Sequence, residues 1–178
     1  MNDQELLELA RNHGFDHTGL LNLSALEFSP EVRSMCAANT CRSYGHCWTC
    51  PPHCGSLDEI AVKAAAYHRG ILLQSTGKME DDYDVETMEE TGELHDKRFL
   101  ALVNKIRTIY PNCLLMSAGA CSVCSKCTCP DEPCRFPDQA FPSMEAYGLW
   151  VSKVCDQSGL SYFYGPQTIT FTCCILID

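Results

Sequence analysis

The run CSVCSKCTCPDEPC, residues 121–134, constrains this chain more than any other stretch. Its first three cysteines are spaced C-x2-C-x2-C, and five of its fourteen residues are cysteine. A second run, CAANTCRSYGHCWTCPPHC, covers residues 36–54, and the two together hold ten of the fourteen cysteines. Gly45 and Pro51-Pro52 keep the earlier run out of regular helix or strand. The chain is therefore expected to fold as a scaffold that carries two cysteine-rich loops.

Composition decides what those thiols are for. A chain of 178 residues is long enough to bury a hydrophobic core without cross-links. Residues 1–20 show no basic segment, apolar segment or small-residue cleavage site of a secretory signal. No run approaches the length needed to span a bilayer. The expected setting is cytoplasmic, where dense cysteine points to thiolates on metal rather than to disulfides. Thirteen basic against 23 acidic residues give a net charge of -10, which opposes nucleic acid and anionic membranes. Acidity also serves solubility.

Taken in order, the pattern predicts a helix over 3–13 with Asp3 as its cap and Gly14 as its stop, then a strand over 17–23. A helical turn from Pro30 to Ser34 delivers Cys36. Ser56 caps a helix that Gly70 ends, and a buried strand follows over 71–75. The acidic run 78–92 reads as a solvated loop or a helix start. Leu94, Phe99, Leu102, Val103 and Ile106 mark one apolar face of a helix over 92–110. Strand 113–119 feeds into Cys121, Ser143 caps a helix that Gly159 closes, and 168–177 is the last strand. Strands alternating with helices predict a single-domain α/β sandwich, residues 1–178, with a small mixed or parallel sheet.

Cys121, Cys124 and Cys127 can wrap three thiolates around one face of a [4Fe–4S] unit. Ferredoxin-type runs place a fourth cysteine after three further residues. That position is Asp131 here, so Cys134, or Cys129 before Pro130, has to supply the fourth thiolate. The earlier run offers Cys36, Cys41, Cys47, Cys50 and Cys54. Zinc also uses C-x2-C pairs, and a structural zinc module is the competing expectation. His46 and His53 lack the Cys-x-His order of a Rieske centre and read as outer or exposed groups. His13, His17, His68 and His95 read as surface or capping groups. Trp48 and Tyr44 read as core, and Cys113, Cys155, Cys173 and Cys174 as small buried hydrophobes. No nucleotide-binding or serine-hydrolase motif is present.

Three motifs carry a resemblance: C-x4-C-x2-Y-G-x2-W-x-C-P-P from Cys36 to Pro52, G-A-C-x2-C-x2-C from Gly119 to Cys127, and C-R-x-P-x4-P-S-M-E-A-Y-G from Cys134 to Gly148. With them the chain is similar, over nearly its whole length, to a family of predicted metal-binding proteins (a domain of unknown function) common in anaerobic bacteria and archaea. The resemblance implies one ligand group of Cys36, Cys41 and Cys50; Cys54, from the same run, is the candidate fourth member. The resemblance implies a second group of Cys121, Cys124, Cys127 and Cys134. Cys47, Cys54 and Cys129 depart from its pattern. Arg135 is a candidate donor to cluster sulfides, an anionic substrate or a loop partner. The expected function is an iron–sulfur protein with two cluster sites, serving electron transfer or a small redox reaction with a redox partner protein. A zinc module, or an accessory that delivers metal or clusters, is the alternative.

Overall fold

The computed structural model describes residues 1–178. Four strands form its sheet: β1 (His17–Leu20), β2 (Arg69–Lys78), β3 (Leu114–Met116) and β4 (Thr168–Ile177). They lie in the order β1-β2-β4-β3, and every neighbouring pair is antiparallel. The expected mixed or parallel sheet is thus corrected. The alternating pattern does leave β2 and β3 pointing the same way, since both run against β4. β4 inserts between them, pairing with β2 from Arg69↔Ile177 to Lys78↔Thr168. A sequence pattern gives strand order along the chain but not which strand slots between two others.

Alternation along β4 divides its side chains between two cores. Cys173, Ile175 and Ile177 pack with Leu6, Phe99 and Leu102 on one face, whereas Cys174 and Leu176 pack with Ile60, Met144 and Val154 on the other. The first face is covered by α1 (Asp3–Asn12) and α4 (Val85–Arg107), and the second by α3 (Leu57–Ala64) and α5 (Val151–Gln157). No helix is long and apolar enough to cross a membrane.

Several helix ends differ from expectation for local reasons. Asn2, not Asp3, caps α1, because it forms a reciprocal capping box with Glu5. α4 begins inside the acidic run, where the Asp84 side chain accepts from the Thr87 N–H. α3 stops at Ala64, well before Gly70. Gly70 lies in β2, where a Cβ would come 2.9 Å from Leu21 and 3.1 Å from the Ile175 carbonyl. Its absence of side chain serves sheet packing, not helix termination.

The helix expected from Ser143 starts only at Val151. Residues 143–148 form a separate turn that ends at Gly148 with φ +81°. A Cβ there would meet the Ser29 carbonyl at 2.8 Å, while the Ser29 N–H donates to the Gly148 carbonyl at 2.8 Å. This turn is also pinned to the sheet by a parallel bridge between Ser117 and Ser143. Ser29 in its turn caps α2 (Pro30–Ala37), the helix that carries Arg33 and Cys36.

His95 corrects another expectation. It is fully buried on the inner face of α4, while Leu94 is exposed. Its Nδ1 pairs with the Ser75 hydroxyl at 3.0 Å, its ring meets Phe15 edge-on, and its Nε2 has no partner. Burial, helped by the nearby Arg98 charge, lowers its pKa from 6.5 to about 4.

Two predictions follow from these positions. Gly148→Ala places a side chain in the left-handed region against Ser29 and is expected to cost about 1–3 kcal/mol, read as a lower thermal midpoint. His95 stays neutral in the folded protein but protonates below 6.5 when unfolded, so stability is lost as pH falls from 6.5 towards 4. At about pH 5 the loss amounts to about 2 kcal/mol in denaturant titrations, and His95→Phe is expected to remove that part of the pH dependence.

Candidate metal centre

The two cysteine runs meet beyond the end of β3. Cys121, Cys124, Cys127 and Cys134 line one small cavity, and Cys47 of the earlier run joins them, with Trp48 and Phe136 in the wall. The void is about 10 Å³, room for roughly one water. The Cys47 thiol lies 3.3 Å from the Thr49 hydroxyl, with Cys121 in the same cavity wall and Cys50 three residues on. Contacts from Cys121 and Cys50 hold Cys47 well below the ordinary thiol range. The same contacts, together with burial, push Cys50 and Cys121 well above it.

Hydrogen bonds between the loops fix this meeting. The Trp48 indole donates to the Glu132 carbonyl at 3.1 Å, and the Cys129 thiol to the Gly45 carbonyl at 3.8 Å. Arg135 donates to the Lys126 carbonyl at 3.2 Å, which ties the end of the second run back over its middle. Trp48 and Tyr44 are half-buried, so both form loop walls rather than core.

A second cavity, about 160 Å³, is lined by Cys36, Cys41 and Cys50 with Tyr44, Pro51 and Glu145. Cys54 lies outside its wall and donates to the Ala146 carbonyl at 3.6 Å. The Cys36 thiol donates to the Glu145 carbonyl at 3.9 Å. The turn at 143–148 therefore receives two thiols of the earlier run while it is anchored to β3. Arg33 adds a positive charge here. Burial raises both Cys36 and Cys54, and the Arg33 guanidinium pulls both back down. Its Nη1 donates to the Gly55 carbonyl at 2.9 Å, whereas Nε and Nη2 are buried without a partner.

The two cavities are neighbours, since Cys50 and Ala120 line one while Cys47 and Cys121 line the other. Nowhere do three Cys, His, Asp or Glu side chains converge as they do on a single ion. His46 and His53 are exposed, and His53 packs edge-on to Trp48. Cys155, Cys173 and Cys174 are fully buried, Cys173 in one core and Cys174 in the other, and Cys113 is half-buried. The four cysteines expected as hydrophobes thus line neither cavity.

Arg33 escaped the sequence reading, and Cys47, offered there by the earlier run, stood outside both ligand groups. Cys47 departs from the motif pattern, yet it links the two thiol groups; only its place two residues before Thr49 and three before Cys50 hinted at a shared turn. Arg33 stands three residues before Cys36 on α2, one helical turn away, a spacing that would have placed its charge beside that thiol. Cys47→Ser is expected to reduce bound metal per chain, measured by elemental analysis. Cys129→Ser, whose thiol points at a backbone carbonyl, is expected to leave metal content unchanged.

No curated protein and no solved structure matches the chain significantly. A family profile does match, over residues 19–177, and its description reads "Predicted metal-binding protein (DUF2284)". That span takes in the end of β1, both cysteine runs and the whole of β2, β3 and β4. With nearly the whole chain matched, the protein belongs to this family of predicted metal-binding proteins.

Proposed function

We propose that the metal this family is expected to bind is iron, held here as two neighbouring iron–sulfur clusters that relay electrons or drive a small redox reaction. The observation that carries the reading is that two thiol-lined cavities adjoin, with Cys47 and Cys121 in the wall of one and Cys50 and Ala120 in the wall of the other. Cys121, Cys124, Cys127 and Cys134 would hold one cluster, with Cys47 as a fifth thiol at its edge. Cys36, Cys41 and Cys50 would hold the other, with Cys54 behind them as the candidate fourth ligand.

The residues present suit such a group. Every candidate ligand is a thiol, the donor type of iron–sulfur clusters. C-x2-C-x2-C supplies three of them from one turn of chain. Zinc, the competing reading, would take four such donors drawn to a point. The void of about 10 Å³ at the second run means that its turns must part to admit a cluster. At the other cavity, the unpartnered Nε and Nη2 of Arg33 offer buried donors to an anionic group such as a thiolate-bound cluster.

A bound cluster supplies one-electron transfer. The chain's own residues set its surroundings. Trp48, Phe136 and Tyr44 limit water, and Arg33 contributes positive charge, which favours the more negative, reduced form. A redox partner protein completes the relay.

The test is the iron and acid-labile sulfide content of anaerobically purified variants. Wild type is expected to carry about eight irons per chain, Cys124→Ser about four, and Cys173→Ala about eight. Stoichiometric zinc without sulfide, or metal lost from Cys173→Ala but kept in Cys124→Ser, would overturn the assignment.

A further inference from the structure

A larger cavity, about 340 Å³, opens beside the thiol groups and has a different character from either. Cys121 forms part of its wall and also lines the cavity of the second run, so the two share a partition. α4 contributes Glu93, Asp96, Phe99 and Leu100, and Phe141 closes the opposite side. Its volume falls within the range of small-molecule sites, and its lining has the mixture such sites use: an apolar body with a few polar groups.

The polar groups set the preference. The Asp96 side chain is half-buried, and its Oδ2 accepts from the Ser122 hydroxyl at 2.6 Å. Its other oxygen accepts from no protein group. The one lysine of the wall, Lys97, is engaged with Glu93 at 3.1 Å, so those two charges offset each other and Asp96 remains without a counter-ion. Burial raises the Asp96 pKa, the consequence of a carboxylate short of both water and a cation. A cation placed against it would relieve that cost, and a charge-assisted hydrogen bond is stronger where solvent is partly excluded. The net charge of -10 draws cations and repels anions at longer range.

We propose that this cavity binds a small organic amine, with its protonated nitrogen on Asp96 and its apolar body against Phe99, Leu100 and Phe141. The ligand would lie against Cys121, the wall that this cavity shares with the thiol group of the second run. The ligand's contacts come from α4 and Phe141, and Ala120, Cys121, Ser122 and Val123 complete the wall.

The test uses the purified full-length protein and three probes of one shape: benzylamine, benzyl alcohol and benzoate. Binding is followed by calorimetry or by ligand-observed NMR, with metal content assayed on the same samples. Benzylamine is expected to bind with a Kd of about 1 mM or tighter, benzyl alcohol more weakly, and benzoate not at all. Asp96→Asn keeps an acceptor for Ser122 and is expected to weaken benzylamine about tenfold. Leu100→Trp fills the cavity and is expected to abolish binding, whereas Glu90→Gln, exposed elsewhere on α4, leaves it unchanged. Benzoate binding as tightly as benzylamine, no benzylamine binding, or unchanged affinity in Asp96→Asn would each overturn the proposal. Metal content that stays constant across the variants separates this outcome from failure of the cluster assignment.

Discussion

The arrangement of the thiols depends on one small junction, the parallel bridge between Ser117 at the end of β3 and Ser143 at the start of the following turn. β3 is only three residues long and sits at the sheet edge. The Ser117 N–H donates to Pro142, and the Met144 N–H donates back to Ser117, so the turn is fastened on both sides of the bridge. Everything between these two points, residues 118–142, is a loop closed at its base, and it contains the whole second cysteine run. The same turn presents the Glu145 and Ala146 carbonyls to Cys36 and Cys54. A single pinned turn thereby positions thiols from two runs that are distant in sequence.

Around that junction the sheet supplies rigidity and the loops supply chemistry. β2 and β4 pair over ten residues and are buried on both faces in their apolar halves. The cysteine runs have almost no regular structure, so their order comes from specific donors on backbone carbonyls: the Trp48 indole and the Cys129 thiol on the facing loop, and the Arg135 guanidinium within its own. Backbone groups in irregular segments need such partners when they leave water. The family motifs become intelligible in these terms. Gly148 permits the left-handed turn under Ser29, and Trp48 ties one loop to the other.

The sequence exposed some of this and hid the rest for physical reasons. β4 was legible to the residue, because TITFTCCILI is apolar and β-branched and lies between turn signals. The Ser56 cap and the apolar stripe of α4 were legible too, since both are set by neighbours within four residues. Sheet direction was not, because β4 is the last strand in sequence yet inserts between two earlier ones. Gly70 read as a helix stop although its role is contact with Leu21 and Ile175, partners far along the chain. His95 read as a surface group because its burial depends on where α4 rolls against β2. At the site, the cysteine runs themselves were evident, whereas the part of Cys47 was not. Its significance lies in sharing a cavity wall with Cys121, far along the chain, and no local pattern encodes that proximity.

The central claim is that the two thiol groups form adjacent cluster sites joined through Cys47 and Cys50. Electron paramagnetic resonance of the reduced, anaerobically prepared protein tests it most directly. Two neighbouring reduced clusters are expected to give a broadened, split signal from spin–spin interaction, which collapses to a simple signal when one group is removed. A spectrum with no iron–sulfur signal, or two sharp signals that ignore each other, would contradict the account.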